Sequence, residues 1–142
     1  MAPFSILIVL SSVRVAATLV ESAARAGLEV RLLTAAGLIA SADATAERLG
    51  GHGQWLLALP PHHIAGLQVM LRSLQAGFEP VIVDVSSGFD PHTLPAAVAA
   101  LRGPRRYTSL VPTQLLKALD HPPAAAALAT LDAIDDPQRP AG

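Results

Sequence analysis

The sequence predicts an α/β fold, a partial parallel sheet with helices on both faces, and three observations carry that reading. Short β-rich runs alternate with helical patterns at intervals of about 25 residues, the rhythm of parallel βαβ units. The β-rich runs are continuously apolar instead of alternating, as befits strands covered on both sides. Glycines follow the helical stretches at Gly27, Gly50, Gly51 and Gly77, where a left-handed C-terminal cap is required.

Ser5–Leu10 is the first expected strand. The surrounding run MAPFSILIVLSSVRVAA has the apolar character of an export signal, but no basic residue precedes its apolar part and Arg14 interrupts it, so a buried strand is expected instead. A helix is expected over 15–26, stopping at Gly27, then a second strand over Leu28–Leu33. Ala35–Leu49 places Leu38, Ala42, Thr45 and Leu49 on one helical face before the Gly50-Gly51 pair. Trp55–Leu59 has strand length and runs into Pro60-Pro61, which cannot donate to a central ladder. Ile64–Gln75 sets Leu67, Leu71 and Leu74 along one helical stripe. Pro80–Val85 is the fourth strand and Leu94–Leu101 a helix ending before Gly103. Tyr107–Val111 is the fifth strand, and Pro112–Leu119 a helix opened by a proline whose missing donor costs nothing in the first turn. The alanines at Ala124–Ala127 express helix propensity. From Asp135 onward, DDPQRPAG has no period and no apolar anchor, so residues 1–134 are expected to form the domain and 135–142 a disordered tail.

At 142 residues one domain, or one piece of a larger one, is expected. Residues are 51% hydrophobic and 15% charged, with a mean hydropathy of +0.45, so self-association through exposed apolar surface is expected. A net charge of −1 from scattered charges offers no footprint for nucleic acid or an anionic membrane. Aromatic residues, at 4%, supply no stacking platform for single strands. No stretch approaches the roughly 20 apolar residues of a spanning helix. The absence of cysteine excludes disulfides and thiolate chemistry and is compatible with the cytoplasm, the expected location.

In open parallel sheets, ligands collect beyond the carboxyl ends of the strands. His63 stands just past the third strand, where a strand-positioned ring either serves as a solvated or capping group or donates to a substrate oxygen. His62 points the other way if the segment is extended. Ser109, Thr113 and Gln114 stand at the exit of the fifth strand and the first turn of the next helix. They either contact a ligand through hydroxyls and free first-turn amides or simply satisfy the helix start. Other chemistries fare worse. Ser86 or Ser87 with Asp84 and His63 or His92 lacks a G-x-S-x-G elbow. His52, His62, His63 and His92 lack metal-site spacing, and no G-x-G-x-x-G follows a strand.

The strings WLLALPPHHIAGLQVMLRSLQAG, FEPVIVDV and RRYTSLVPTQLLKAL resemble the N-terminal lobe of the adenylate-forming acyl-CoA synthetases, and within them most closely the o-succinylbenzoate–CoA ligases of menaquinone synthesis. The first carries the family's Pro-x-x-His-aliphatic-small-Gly pattern on Pro60, His63, Ile64, Ala65 and Gly66; the second diagnostic string is SLVPTQL, Ser109 to Leu115. With LLTAAGLIASADATAERLGG, the resemblance runs from Glu29 to about Ile134, which makes residues 1–134 a partial AMP-dependent synthetase N-terminal domain. It implies ATP-dependent activation of a small carboxylate and transfer to CoA, with ATP, Mg²⁺ and CoA serving the intact family. It further implies a substrate side formed by His63, Gly66, Ser109, Thr113 and Gln114.

The departures bear on activity. A Ser/Thr/Gly-rich phosphate loop ending in Pro-Lys is implied just before Val30, where this chain reads ESAARAGLE. One glycine and no lysine cannot build a phosphate cradle. The implied Gly-rich, Tyr-Gly-x-Thr-Glu and catalytic-lysine motifs do not follow Ile134. A truncated, frame-shifted or decayed ligase, inactive alone and without catalytic, cofactor-binding or metal-binding residues of its own, is therefore expected. The alternative is a stand-alone, non-catalytic α/β binding or oligomerisation module whose first 33 residues form a true βαβ start.

Overall fold

The computed structural model describes residues 5–10, 25 and 29–138. The helix expected over 15–26, apart from Arg25, and the last four residues of the expected tail lie outside these. The chain divides into two compact units, Met1–Ala44 and Thr45–Gly142.

In the first unit β1 (Ser5–Leu10) pairs in parallel with β2 (Glu29–Thr34), Ser5 opposite Glu29 and Leu10 opposite Thr34. Helix α1 (Ala35–Leu49) follows without a break and ends where expected, at Gly50 and Gly51, with φ of 91° and 145°. Both values lie where only glycine is unstrained.

The second unit is built on four parallel strands in the order β4-β3-β5-β6: β3 (Gln54–Leu57), β4 (Val81–Ile82), β5 (Arg106–Ser109) and β6 (Ala133–Asp135). The two central strands are the buried ones: every residue of β3 is buried, and every residue of β5 but Arg106. Period-2 alternation sends Leu56 and Ala58 to one face. There they meet Leu94 and Val98 of α3 (Leu94–Ala99), Ala118 of α4 (Pro112–Leu119), and Ala124 and Leu128 of α5 (Pro122–Leu128). Trp55, Leu57 and Leu59 take the other face with Tyr107, Val69 of α2 (Ile64–Gln75) and Leu49 of α1. Helices thus cover both faces, the α/β class the sequence predicts. Burial of each such large side chain contributes about 1.5–3 kcal/mol. The Trp55 and Tyr107 rings add a tilted contact with centroids 5.2 Å apart.

The fourth strand and the tail differ most from the sequence reading. The fourth strand's ladder shrinks from Pro80–Val85 to Val81–Ile82, although Val83 still donates its N–H to the Leu57 carbonyl (2.8 Å). The alanine run is helical, as its propensity leads one to expect: it lies in α5, started by the His121 ring, whose Nδ1 accepts from the Ala124 amide (3.3 Å). Asp135, assigned by periodicity to the tail, is the last residue of β6, opposite Ser109, and its carbonyl accepts from the Leu110 amide (3.0 Å). Its carboxylate receives Arg48 of α1 at 2.8 Å and Arg72 of α2 at 3.4 Å. No described helix is long and apolar enough to cross a membrane.

Candidate functional site

The carboxyl ends of β3 and β5 are neighbours in the sheet, and each runs directly into a helix. After β3 the chain reaches Pro60 and Pro61, turns, and enters α2 with His63 as its N-cap (φ −92°, ψ 151°). The His63 amide donates to the Pro60 carbonyl (3.1 Å), and the His63 carbonyl accepts from the Leu67 amide (3.0 Å). Its backbone is therefore fixed, while its exposed imidazole makes no capping bond. The His62 and His63 rings lie 4.5 Å apart at 52°. Residues 61–63 form a turn, not an extended segment, so His62 shares the side of His63 instead of pointing away from it.

Gly66 explains why this turn is tight. A Cβ there would collide with the Pro60 carbonyl oxygen and sit 2.8 Å from its carbon, so only glycine lets the first turn of α2 rest on the proline exit. Gly66 is buried and places His63; it offers no side chain to a ligand.

The β5 exit spends its polar groups differently. Ser109 is 1% exposed, and its hydroxyl donates to the Asp135 carbonyl (3.3 Å). Gln114 bonds at both ends of its amide: Oε1 accepts from the Val111 N–H (3.0 Å), closing the start of α4, and Nε2 donates to the Ala58 carbonyl just past β3 (2.9 Å). Gln114 thus ties the two exits together. Thr113 is exposed in the first turn of α4 and makes no side-chain hydrogen bond among the described residues. Of the five expected site residues, His63 and Thr113 hold free polar side chains, whereas Gly66, Ser109 and Gln114 are built into the scaffold.

Sequence reasoning missed the ion cluster beside this edge. Arg72, 9% exposed, lies over the Trp55 ring (5.2 Å to the centroid) and against Asp135, which also takes Arg48. Burial pushes the Arg72 guanidinium below its ordinary value; the charge and hydrogen bond of Asp135 oppose this, and the charge of Arg48 adds to the fall. The Nε of Arg72 is buried without a partner. No local signal announces the cluster, because its bonds span 63 and 87 residues.

The described residues do not form a phosphate cradle. Arg48 and Arg72 face Asp135, Arg106 donates to the Thr130 carbonyl, Arg105 lies over Gly50 and Gly51, and Lys117 stands exposed on α4. Among the described residues no group of three metal-ligating side chains comes together.

Fold and edge together define part of a parallel α/β domain that presents a strand-positioned histidine at the carboxyl end of its sheet. Over 103 residues the chain is 60% identical to a protein of Mycobacterium tuberculosis (strain CDC 1551 / Oshkosh) described as a probable 2-succinylbenzoate–CoA ligase, and equally to its counterpart in strain ATCC 25618 / H37Rv. These residues are homologous to part of a protein described as a probable 2-succinylbenzoate–CoA ligase. The match takes in 72% of this chain, which spans only 27% of the length of the curated relatives it matches. No family model matches the chain. No solved structure matches it either.

Proposed function

We propose that this chain forms the acyl-substrate wall of a protein like the 2-succinylbenzoate (o-succinylbenzoate)–CoA ligases and does not adenylate a carboxylate by itself. The observation that carries this is the lock of Gly66 against Pro60, which leaves the His63 ring free at the carboxyl edge of β3 within a segment of high identity to such ligases. In this reading His63 donates to a keto or carboxylate oxygen of the substrate and Thr113 lines the neighbouring exit. Gly66, Ser109 and Gln114 hold the wall in shape. The full reaction, ATP-dependent activation followed by CoA transfer in cytoplasmic menaquinone biosynthesis, belongs in this reading to longer relatives.

Purified protein titrated with 2-succinylbenzoate by calorimetry is expected to show binding that needs neither ATP nor Mg²⁺, with no pyrophosphate release when both are added. Absence of any heat, or pyrophosphate release abolished by His63→Ala, would sink the reading. A self-sufficient, non-catalytic module is the second reading, favoured by the two filled cores on either side of the sheet. A module of that kind unfolds in one cooperative step, whereas a partial domain binds hydrophobic dye and aggregates.

A further inference from the structure

The sequence holds two Asp-Pro bonds, Asp90–Pro91 and Asp136–Pro137, and the structure surrounds them differently. A proline nitrogen carries no N–H, so an aspartate before it cannot close an imide on that nitrogen, and its carboxylate is left to attack its own backbone carbonyl. Asp90 precedes the 3-10 turn Pro91–Thr93. Its Oδ1 accepts from the His92 amide (3.0 Å) and from His92 Nδ1 (2.9 Å), which keep the carboxylate ionised and fixed. Its backbone carbonyl oxygen accepts from the Thr93 hydroxyl (2.7 Å) and the Thr93 amide (3.2 Å). The His121 ring packs on that of His92, with centroids 4.1 Å apart. The side chains of Asp90 and His92 are 60% and 72% exposed, so water reaches the bond. At the other bond, among the described residues, the Asp136 carboxylate meets only the Gln138 amide (2.9 Å), and in sequence Gln138 and Arg139 take the places of His92 and Thr93.

We propose that Asp90–Pro91 is a self-cleavage site, at which the Asp90 carboxylate attacks its own carbonyl carbon, the Thr93 hydroxyl and amide hold the oxyanion that develops, and the chain parts in mild acid into residues 1–90 and 91–142. Attack forms a C–O bond between the carboxylate and the carbonyl carbon and leaves a tetrahedral intermediate with a negative oxygen. Its collapse breaks the C–N bond. The Pro91 nitrogen takes a proton from solvent and leaves as a secondary amine, while Asp90 becomes a five-membered cyclic anhydride. One water opens the anhydride to two carboxyl groups, so the net reaction is hydrolysis. An anchored nucleophile and two donors on the developing oxyanion are the parts that acyl transfer requires. The charges that act on Asp90 are those of His92 and His121; of the helices packed on the turn, α3 and α5 carry no ionisable residue and α4 carries Lys117. Acid supplies the proton for the leaving nitrogen, and the His92 bonds keep the carboxylate ionised, so cleavage rises as pH falls from neutral towards the ordinary aspartate value of about 3.9. This activity stands apart from the acyl-site reading, since none of its residues is His63 or Thr113.

The test is incubation of the full chain in mildly acidic buffer, with the products weighed by denaturing mass spectrometry. Cleavage at Asp136–Pro137 measures the intrinsic lability of an Asp-Pro bond in the same molecule. Wild type is expected to break at Asp90–Pro91 faster than there by about tenfold or more, the gain from a positioned nucleophile and oxyanion donors. Urea is expected to bring the two rates together. Thr93→Val is expected to slow cleavage by about tenfold or more, and Asp90→Asn to abolish it, with circular dichroism confirming that each variant is folded. Hydroxylamine is expected to capture the anhydride as a hydroxamate on Asp90, a product that direct attack of water on the amide does not give. The proposal is overturned if the folded chain stays intact or breaks at both bonds equally fast, or if urea leaves the Asp90 rate unchanged. It is equally overturned if Thr93→Val cleaves like wild type, or if the bond breaks in hydroxylamine without a hydroxamate.

Discussion

The exits of β3 and β5 have the same plan and opposite fates. Each is a buried central strand followed by a helix, and each carries polar residues that the sequence marks as candidates. At the β3 exit backbone contacts fix the Pro60–His63 turn itself: the His63 amide bonds to Pro60, and Gly66 packs on the same carbonyl. The imidazole is left unspent. At the β5 exit side chains do the fixing, with Ser109 held by Asp135 and Gln114 held between Val111 and Ala58. A polar residue at a strand exit is available to a ligand only where the backbone has already satisfied the turn without it.

Substitutions at the two exits should therefore separate cleanly. Gly66→Ala should have the largest effect, on the order of 3 kcal/mol, because the clash is with backbone and the α2 turn must open to relieve it. The midpoint of urea unfolding measures this, and an unchanged midpoint would mean that the β3 exit is plastic. Asp135→Asn should cost roughly 3 kcal/mol by leaving Arg72 buried without a counter-charge. Arg48→Ala removes the half-exposed member of the same cluster and should cost under about 1 kcal/mol. Gln114→Ala strands the Val111 N–H and the Ala58 carbonyl, an effect of about 1–3 kcal/mol in the same unfolding assay.

His63→Ala should shift stability by less than about 0.5 kcal/mol, as an exposed side chain with no bond does. The smallest effect is expected at Asp90. The His92 amide, and then its ring, hold the Asp90 carboxyl below its ordinary range. Its folded value is the depressed one, so its contribution is present above the unfolded value of about 3.9 and fades as pH falls through the folded value. Asp90→Asn should slightly flatten the acid side of the stability profile. A flattening near neutral pH would contradict this origin.

Much of this was legible in the sequence because it is local. Proline at the first turn and glycine after the last fixed α4 and α2 to the residue, and the apolar runs located the central strands to within a residue or two. The motif singled out Gly66, and the structure supplies its physical reason. What stayed hidden depends on distance along the chain. The Arg72–Asp135 pair spans 63 residues and the Gln114–Ala58 bond 56, so no periodicity contains them. The contact of His62 with His63 was missed because an extended backbone was expected where the proline pair makes a turn.

One paired measurement tests the contrast between the exits most directly: calorimetric titration of 2-succinylbenzoate into His63→Ala and Gln114→Ala, each with its unfolding curve. The account predicts that His63→Ala keeps the wild-type unfolding midpoint and loses about 1 kcal/mol or more of binding. It predicts that Gln114→Ala lowers the midpoint and, at a temperature where it remains folded, retains most of the affinity. Undiminished binding by His63→Ala, or binding lost in a Gln114→Ala protein of wild-type stability, would contradict it.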